Sequence, residues 1–584
     1  MKQNIFLYIS FLILFSGVAY SQPFENIQDN LPAFVSKFYD EELGKNVFVF
    51  DPSMDMNQIQ ALIDSVYNRQ HPRSSEFGSN RYALLFKPGV YKVDLKVGYY
   101  TSIIGLGESP NDVIINGILL SKGEKNGNVT CNFWRSLENL TIEPPYGKLN
   151  IWGVSQAAPM RRVHIKGDIQ LHDNGWASGG FLADSKVDDT VFAGGQQQWF
   201  TRNAELGKWD RGSWNMMFMG VNGAPEDKWP DNPYTVINET PAIREKPYLV
   251  WQGIEYLFKV PQIKRNSTGT SWQSRYLNEE VYRLQDFYIA KPDADNAATI
   301  NNALSQGKNI FFLPGIYVMD KSLKITRTGT IMAGMGMATL KSGNGNPVIE
   351  IADVDGVTLS GFIIDAGAIQ SETLVRVGET NSEADHNGNP SFLFDIFLRV
   401  GGYGEGKTSS CMIINSNNVF IDHTWLWRAD HGKNVGWDQN TTKNGLIVNG
   451  DRVTVYGLFC EHFHEYQTLW NGNEGKVYFY QSEMPYDPPT AEAFVHDSVK
   501  GYASYKISDK VNSHEAWALG IYCVFFKAPV IVDQAIETPA SIEKDIHHKI
   551  LYWLYGGNKE SKILSVINGK GGYVDVNNVK TVME

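Results

Sequence analysis

The sequence predicts an all-β protein made of two tandem right-handed parallel β-helices, with short capping helices and a loop-rich connector. Three observations carry that reading. One pattern occurs twice: an Asp (Asp51, Asp293), an amphipathic segment (Ile59, Leu62, Ile63; Ile300, Leu304), an apolar run into Pro-Gly-x-Tyr (Leu84 to Tyr91; Ile310 to Tyr317) and a Gly-x-Gly (Gly105, Gly107; Gly334, Gly336). The Pro-Gly pairs lie 226 residues apart and the Gly-x-Gly pairs 229, and order and spacing kept together mark a repeat architecture. Short β-branched runs also follow one another (Val357 to Ile364, Val419 to Ile421, Val453 to Val455, Val477 to Phe479) without the two-residue Asn-Gly turns of hairpins. Finally, Val453 and Val477 are 24 residues apart, a reasonable circumference for one coil whose inward residues stack in apolar ladders. An array of β-sandwiches is the alternative.

In chain order, Lys2, the apolar run Ile5 to Phe15, and small residues Ala19 and Ser21 read as a secretory signal peptide, residues 1–21, cleaved after Ser21. The run is short for a bilayer span, which takes about 20 apolar residues, so a secreted or periplasmic location with no membrane anchor is expected. Residues 22–285 form the first β-helix and its connector; the latter, from Trp209 to Gln285, carries Pro225, Pro230, Pro233, Pro241, Pro247 and Pro261. Residues 286–584 form the second. In each half the amphipathic segment would be a helix closing the open end of the ladder.

Among 584 residues, 52 Lys+Arg against 64 Asp+Glu give a net charge of −12, which argues against nucleic-acid or anionic-membrane partners. A hydrophobic share of 42% with 20% charged residues excludes wholesale disorder. Aromatics, at 12%, supply flat surfaces that suit sugar rings or a large core. Cys131, Cys411, Cys460 and Cys523 form no CxxC or metal spacing; buried thiols are favoured over two disulfides. No cofactor or metal is expected: His462, His464, Glu461 and Glu465 cluster in sequence, but on a strand the histidines face one way and the glutamates the other.

Three strings in the second half are distinctive: Thr424-Trp425-Leu426-Trp427-Arg428-Ala429-Asp430-His431, Glu461-His462-Phe463-His464-Glu465-Tyr466-Gln467, and Tyr480-Gln481-Ser482-Glu483-Met484-Pro485-Tyr486. The first half has Ser155-Gln156-Ala157-Ala158, Ala177-Ser178-Gly179-Gly180-Phe181 and Gln196 to Asn203. Together they resemble glycoside hydrolase family 55, secreted β-1,3-glucanases with two tandem right-handed β-helices. The chain departs from that pattern at Asp487-Pro488-Pro489, in the connector, and after about Pro529. The resemblance implies an inverting, exo-acting β-1,3-glucanase, monomeric, with a β-glucan substrate.

Glycoside hydrolysis needs an acid for the leaving oxygen and a second group at the anomeric carbon. Glu483 is the acid candidate: Tyr480, Met484 and Tyr486 nearby in sequence would desolvate it and keep it protonated, and the resemblance gives it the same role. The resemblance places Glu461 with Gln156 and Ser178 as the set that holds the attacking water, and of these only Glu461 is a strong base. Candidate substrate contacts are Trp425, Trp427, Asp430, His431, Tyr466, Gln467, Trp470 and Tyr486, with Asp430-His431 either orienting hydroxyls or buttressing a turn. Displacing Glu461 eight residues past Val453 and Glu483 six past Val477 offsets the two carboxylates by two strand residues, which predicts a separation of about 8 Å, the inverting geometry. Two other readings suit a parallel β-helix: a polysaccharide lyase, which needs a uronate-facing base and usually clustered Asp for Ca²⁺, and a non-catalytic glycan-binding module.

Overall fold

The computed structural model describes residues 31–32, 34–273 and 278–584; the expected signal peptide lies outside them. The repeat read from sequence is a repeat of structure. Helix α1 (Met56–Gln70) starts at Asp55, whose side chain accepts the Asn57 N–H, and buries Ile59, Leu62, Ile63 and Val66. Helix α2 (Ala297–Ser305) starts with a capping box between Asn296 and Thr299 and buries Ile300, Ala303 and Leu304. Each joins the interior core of its own half. The Pro-Gly turns are equivalent too. A Cβ on Gly89 would lie 2.6 Å from Pro52, and one on Gly315 2.4 Å from Pro292, so only glycine lets the turn pass over the preceding coil. The tyrosine after each turn donates its hydroxyl to two backbone carbonyls, Tyr91 to Phe50 and Lys87, Tyr317 to Ala290 and Leu313.

Strands pair in parallel with the next coil in both halves. In the first half, β1 (Pro159–Ile165), β2 (Phe181–Ala183) and β3 (Gln198–Arg202) stack so that Arg161, Ala183 and Arg202 form one column. In the second half the long face contains β4 (Thr358–Asp365), β5 (Ser391–Val400), β6 (Val419–Arg428), β7 (Thr454–Glu461), β8 (Gly475–Glu483) and β9 (His514–Cys523). Every one of these strands has a residue of positive φ at the same height: Gly361, Asp395, His423, Gly457, Phe479 and Ala518. This left-handed corner breaks the simple in–out alternation. Beyond it Leu458 and Cys460 face the core while Phe459 and Glu461 face outward.

Two expectations need correction. Val477 pairs with Val455, not Val453, so this coil has 22 residues. Val453 and Val455 are both buried in the ladder, and a two-residue slip leaves alternation unchanged. The connector is also more regular than expected. Asn215–Met219 and Tyr234–Ile237 continue the first β-helix. Beyond them Tyr248–Trp251, Tyr256–Pro261 and Glu279–Arg283 form an antiparallel sheet. Its prolines sit beside or at the ends of strands (Pro247, Pro261) or in a two-stranded edge (Pro241), positions where a missing N–H costs nothing.

The outward faces of the two β-helices meet. Trp134, Phe181, Phe200 and Met217 of the first pack with Phe397, Trp425, Trp427, Tyr456, Phe459 and Phe479 of the second. Beside this apolar seam lies a buried ionic lattice. Arg161 binds Asp395 (2.9 and 2.7 Å) and Asp422 (2.7 Å). Arg202 grips Glu245 (2.7 and 2.8 Å) and Asp422 (3.1 and 2.9 Å). Lys246 joins Glu138 (2.7 Å) to Asp395 (3.0 Å). Arg161, Arg202, Lys246, Asp395 and Asp422 each have two or more charged partners, the condition under which burying ions is tolerable.

Candidate active site

The outward column Trp427, Glu461, Glu483, Tyr522 runs across β6 to β9 in direct register, with Trp425, Phe459 and Gln481 in the column beside it. At its centre is a pocket of about 210 Å³. Gln156, Ser178, Trp425, Trp427, Asp430, His431, Glu461, Glu483 and Tyr486 all line it, so residues more than three hundred positions apart converge.

Glu461 is buried and held at both oxygens: Gln156 Nε2 donates to Oε1 (2.9 Å) and Trp425 Nε1 to Oε2 (2.9 Å). Burial pushes its carboxyl up to about 7, against the N–H donors Gln156, Gln481 and Trp425, which favour the anion. Glu483 is pushed further, well above the carboxyl range, by burial first and then by the negative charges of Glu461 and Asp430. Tyr486 donates its hydroxyl to Glu483 Oε2, and Gln481 approaches Oε1 at 3.4 Å. Tyr480 and Met484, expected to desolvate Glu483, instead point into the β-helix core, because they alternate with it.

Gln156 Nε2 also reaches Ser178 Oγ (3.3 Å), and Gln198 Nε2 reaches the same oxygen (3.2 Å). With both lone pairs accepting, the Ser178 hydroxyl has only its hydrogen left to offer. The side-chain oxygens of Gln156, Gln198 and Gln481 are buried without a protein partner, so the surroundings of Ser178 and Glu461 carry acceptors suited to water or sugar hydroxyls. Gln156 itself has φ 25°, and His423 Nε2 meets its carbonyl at 3.0 Å while Nδ1 meets Asp395 at 2.9 Å. The ionic lattice thus reaches the backbone that presents Gln156.

Trp425 and Trp427, candidate substrate contacts, line the pocket but lie almost wholly within the seam between the two β-helices. Each is 1% exposed; they stack on one another (5.0 Å between centroids), and Trp425 stacks on Trp134 (4.9 Å). Three other candidates lie elsewhere. His462 takes φ 71° at the end of β7, and the following loop carries the chain to a different sheet at Thr468–Trp470. Trp470 is fully buried in the core against His514. Gln467 closes its own loop, accepting the Phe463 N–H (2.7 Å) and donating to the Phe463 and Glu465 carbonyls. Tyr466 turns to His496 and Tyr502. The same turn brings His462 into the pocket beside Glu461, against the expected strand alternation. Asp487, the departure from the family pattern, is clamped by Arg428 at 2.9 Å on both oxygens. Sequence reading missed Cys131, Phe133 and Gln197 in the lining. All four cysteines are free thiols, three of them buried.

The LAM55 pectate lyase-like domain model matches residues 287–483. An exo-beta-1,3-glucanase of Streptomyces sp. (strain SirexAA-E / ActE) is 45% identical over 90% of this chain and 87% of its own. The chain belongs to glycoside hydrolase family 55. Within the family, the solved structure of Lam55A from Streptomyces sp. SirexAA-E superposes with a TM-score of 0.89 at 43% identity, covering 93% of this chain and 98% of that one. A glutamate-to-alanine variant of Lam55A, solved in complex with glucose, gives 0.88 at 43% identity with the same coverage. A glucan 1,3-beta-glucosidase of Cochliobolus carbonum is 24% identical over 38% of this chain and 32% of its own.

Proposed function

We propose that this family 55 glycoside hydrolase cleaves β-1,3-glucan from the chain end, with Glu483 as general acid and Glu461 as general base. The observation that carries the roles is the pair of outward glutamates on adjacent coils, one held by N–H donors and the other raised by burial and neighbouring negative charge in their shared pocket. Glu483 is the more strongly raised, so at neutral pH it keeps the proton that the glycosidic oxygen needs. Glu461, presented as an anion by three N–H donors, takes a proton from water as the C–O bond breaks. Ser178 offers that water a hydroxyl hydrogen, and Gln156 fixes the geometry of both. The neutral substrate needs no counter-ion, and the pocket's hydroxyl and amide groups suit a glucosyl unit.

Exo action on β-1,3 linkages is supported by the printed name of the Streptomyces relative. A panel of β-1,3-, β-1,6- and mixed-linkage glucans with product chromatography tests it: a single small sugar from β-1,3-glucan alone is expected. A ladder of oligosaccharides, preference for another linkage, or an ultraviolet-absorbing unsaturated product would each overturn it. We also propose export through the N-terminal segment, since a polysaccharide substrate lies outside the cell. Edman sequencing of the exported protein should start at Gln22.

A further inference from the structure

Beside the two glutamates, Cys131 and His431 of the pocket wall meet Glu76, which does not line the pocket. Glu76, Cys131 and His431 come from three distant segments, and one ligand atom of each lies within 4.8 Å of the others. The groups behind them orient those atoms. Asp430 meets His431 Nδ1 at 2.8 Å, which leaves Nε2 turned to Glu76 Oε1 at 2.6 Å. Arg73 holds the other Glu76 oxygen at 2.6 Å. Carboxylate behind imidazole is the arrangement that fixes the tautomer of a metal-binding histidine. At 2.6 Å the Glu76 oxygen and His431 Nε2 share a hydrogen, whose place a cation would take only once the two donors part.

We propose that Glu76, Cys131 and His431 form a binding site for a thiophilic divalent cation such as Zn²⁺, whose occupation blocks the substrate pocket. Four-coordinate zinc with S, N and O ligands places the donors about 3.3–3.7 Å apart, which small side-chain shifts reach from the present spacing. Thiolate and imidazole select Zn²⁺, Cd²⁺ or Co²⁺ over Mg²⁺ or Ca²⁺. Three protein ligands leave one position open. Cys131 and His431 line the same pocket as Glu483, so a bound cation stands where a sugar would. Metal binding needs the thiolate and the neutral imidazole, so it is coupled to proton release. The blocking half rests on the hydrolase reading; the binding half does not.

Titrating the full-length chain with Co²⁺ tests binding without turnover. A thiolate-to-cobalt charge-transfer band should saturate at one equivalent and be absent in Cys131→Ser. The other three cysteines are buried in the second β-helix core and should contribute nothing. Asp430→Asn, which loosens the carboxylate behind His431, should weaken binding about 10–100-fold. No band in the unaltered protein, or an undiminished band in Cys131→Ser, overturns the site. Should Cys131→Ser fail to fold, alkylation of the unaltered protein with peptide mapping decides instead: Zn²⁺ should protect Cys131, and unprotected labelling overturns the site. Zn²⁺ should also inhibit glucan hydrolysis, with recovery on chelation. A cobalt band with unimpaired hydrolysis overturns the blocking half, whereas a band in a protein that cleaves no glucan overturns the hydrolase reading instead.

Discussion

Glu461 and Glu483 pair directly across β7 and β8, one coil apart and on the same outward face. Two carboxyl groups so placed cannot both ionise cheaply, and their surroundings decide which gives up its proton. Glu461 is held by the Gln156 and Trp425 N–H groups; Glu483, although Tyr486 and Gln481 donate to it, is raised by burial and by two neighbouring negative charges. Glu461 therefore ionises first.

The pH profile of kcat/KM should follow from that order. With Glu461 as the proposed base and Glu483 as the proposed acid, activity should require Glu461 ionised and Glu483 protonated. The rising limb belongs to Glu461 and should fall near pH 7; the falling limb belongs to Glu483 and lies on its alkaline side. Replacing Trp425 by Phe removes an N–H donor from Glu461, so the rising limb should move to higher pH. A limb that stays in place would assign it to another group.

Glu483→Gln separates acid catalysis from structure. On glucan, where the leaving oxygen needs a proton, the loss should be about 10²–10⁴-fold. On a glycosyl fluoride or dinitrophenyl glycoside, whose leaving group departs as an anion, the loss should be far smaller. Equal losses would remove Glu483 from the acid role. The variant also reports on stability. A carboxyl raised in the folded state contributes stability below its unfolded value, lost as pH rises through the folded one. Neutral Gln escapes that loss, so Glu483→Gln should melt above the parent at alkaline pH and close to it in acid.

What the sequence could show, and what it could not, divides along physical lines. The Pro-Gly-x-Tyr turns were legible because only glycine passes over Pro52 and Pro292, a local constraint with a local signature. The three second-half strings located Glu461 and Glu483 by resemblance. Register was not legible, since Val453 and Val455 both face inward and either could pair with Val477. Trp425 and Trp427 occupy outward positions, which without a second body would be open platforms; the first β-helix covers them, and no local pattern announces that. Trp470 reads like a neighbour of Glu461 in sequence, but the left-handed turn at His462 sends it to the core.

The buried lattice should behave as a single unit. Asp422 takes three guanidinium hydrogen bonds, from Arg161 and Arg202 of the other β-helix. Asp422→Asn leaves two buried cations short of an anion, and breaking such a pair typically costs about 3–5 kcal/mol. Urea denaturation should show that loss, and it should persist at high salt because buried pairs are screened little. A change within about 0.5 kcal/mol, the level of an ordinary surface substitution, would mean the seam is held by its aromatic residues alone. Separately expressed 22–285 and 286–584 should likewise lack activity, since Gln156 and Ser178 sit in one and both glutamates in the other.

Stereochemistry is the sharpest test of the assigned roles. The two-residue offset expected from sequence is absent: the glutamates stand on neighbouring strands, whose spacing of about 4.8 Å by itself is close to the roughly 5 Å of retaining enzymes. Backbone stacking does not settle where the carboxyl groups act, and their partners differ. Glu461 has Oε1 taken by Gln156 and Oε2 by Trp425. Each oxygen keeps one lone pair, and the proposed roles use it to take a hydrogen from water. Ser178, with both lone pairs accepting and its hydrogen free to donate, is placed to hold that water rather than to assist a covalent step. The proposed roles predict inversion: a β-linked glucan should release the α-anomer first. Proton NMR in the first minutes, before mutarotation, reads this directly. An initial β-anomer signal would require a glycosyl–enzyme intermediate, make Glu461 the nucleophile, and leave the Gln156–Ser178 set without its water.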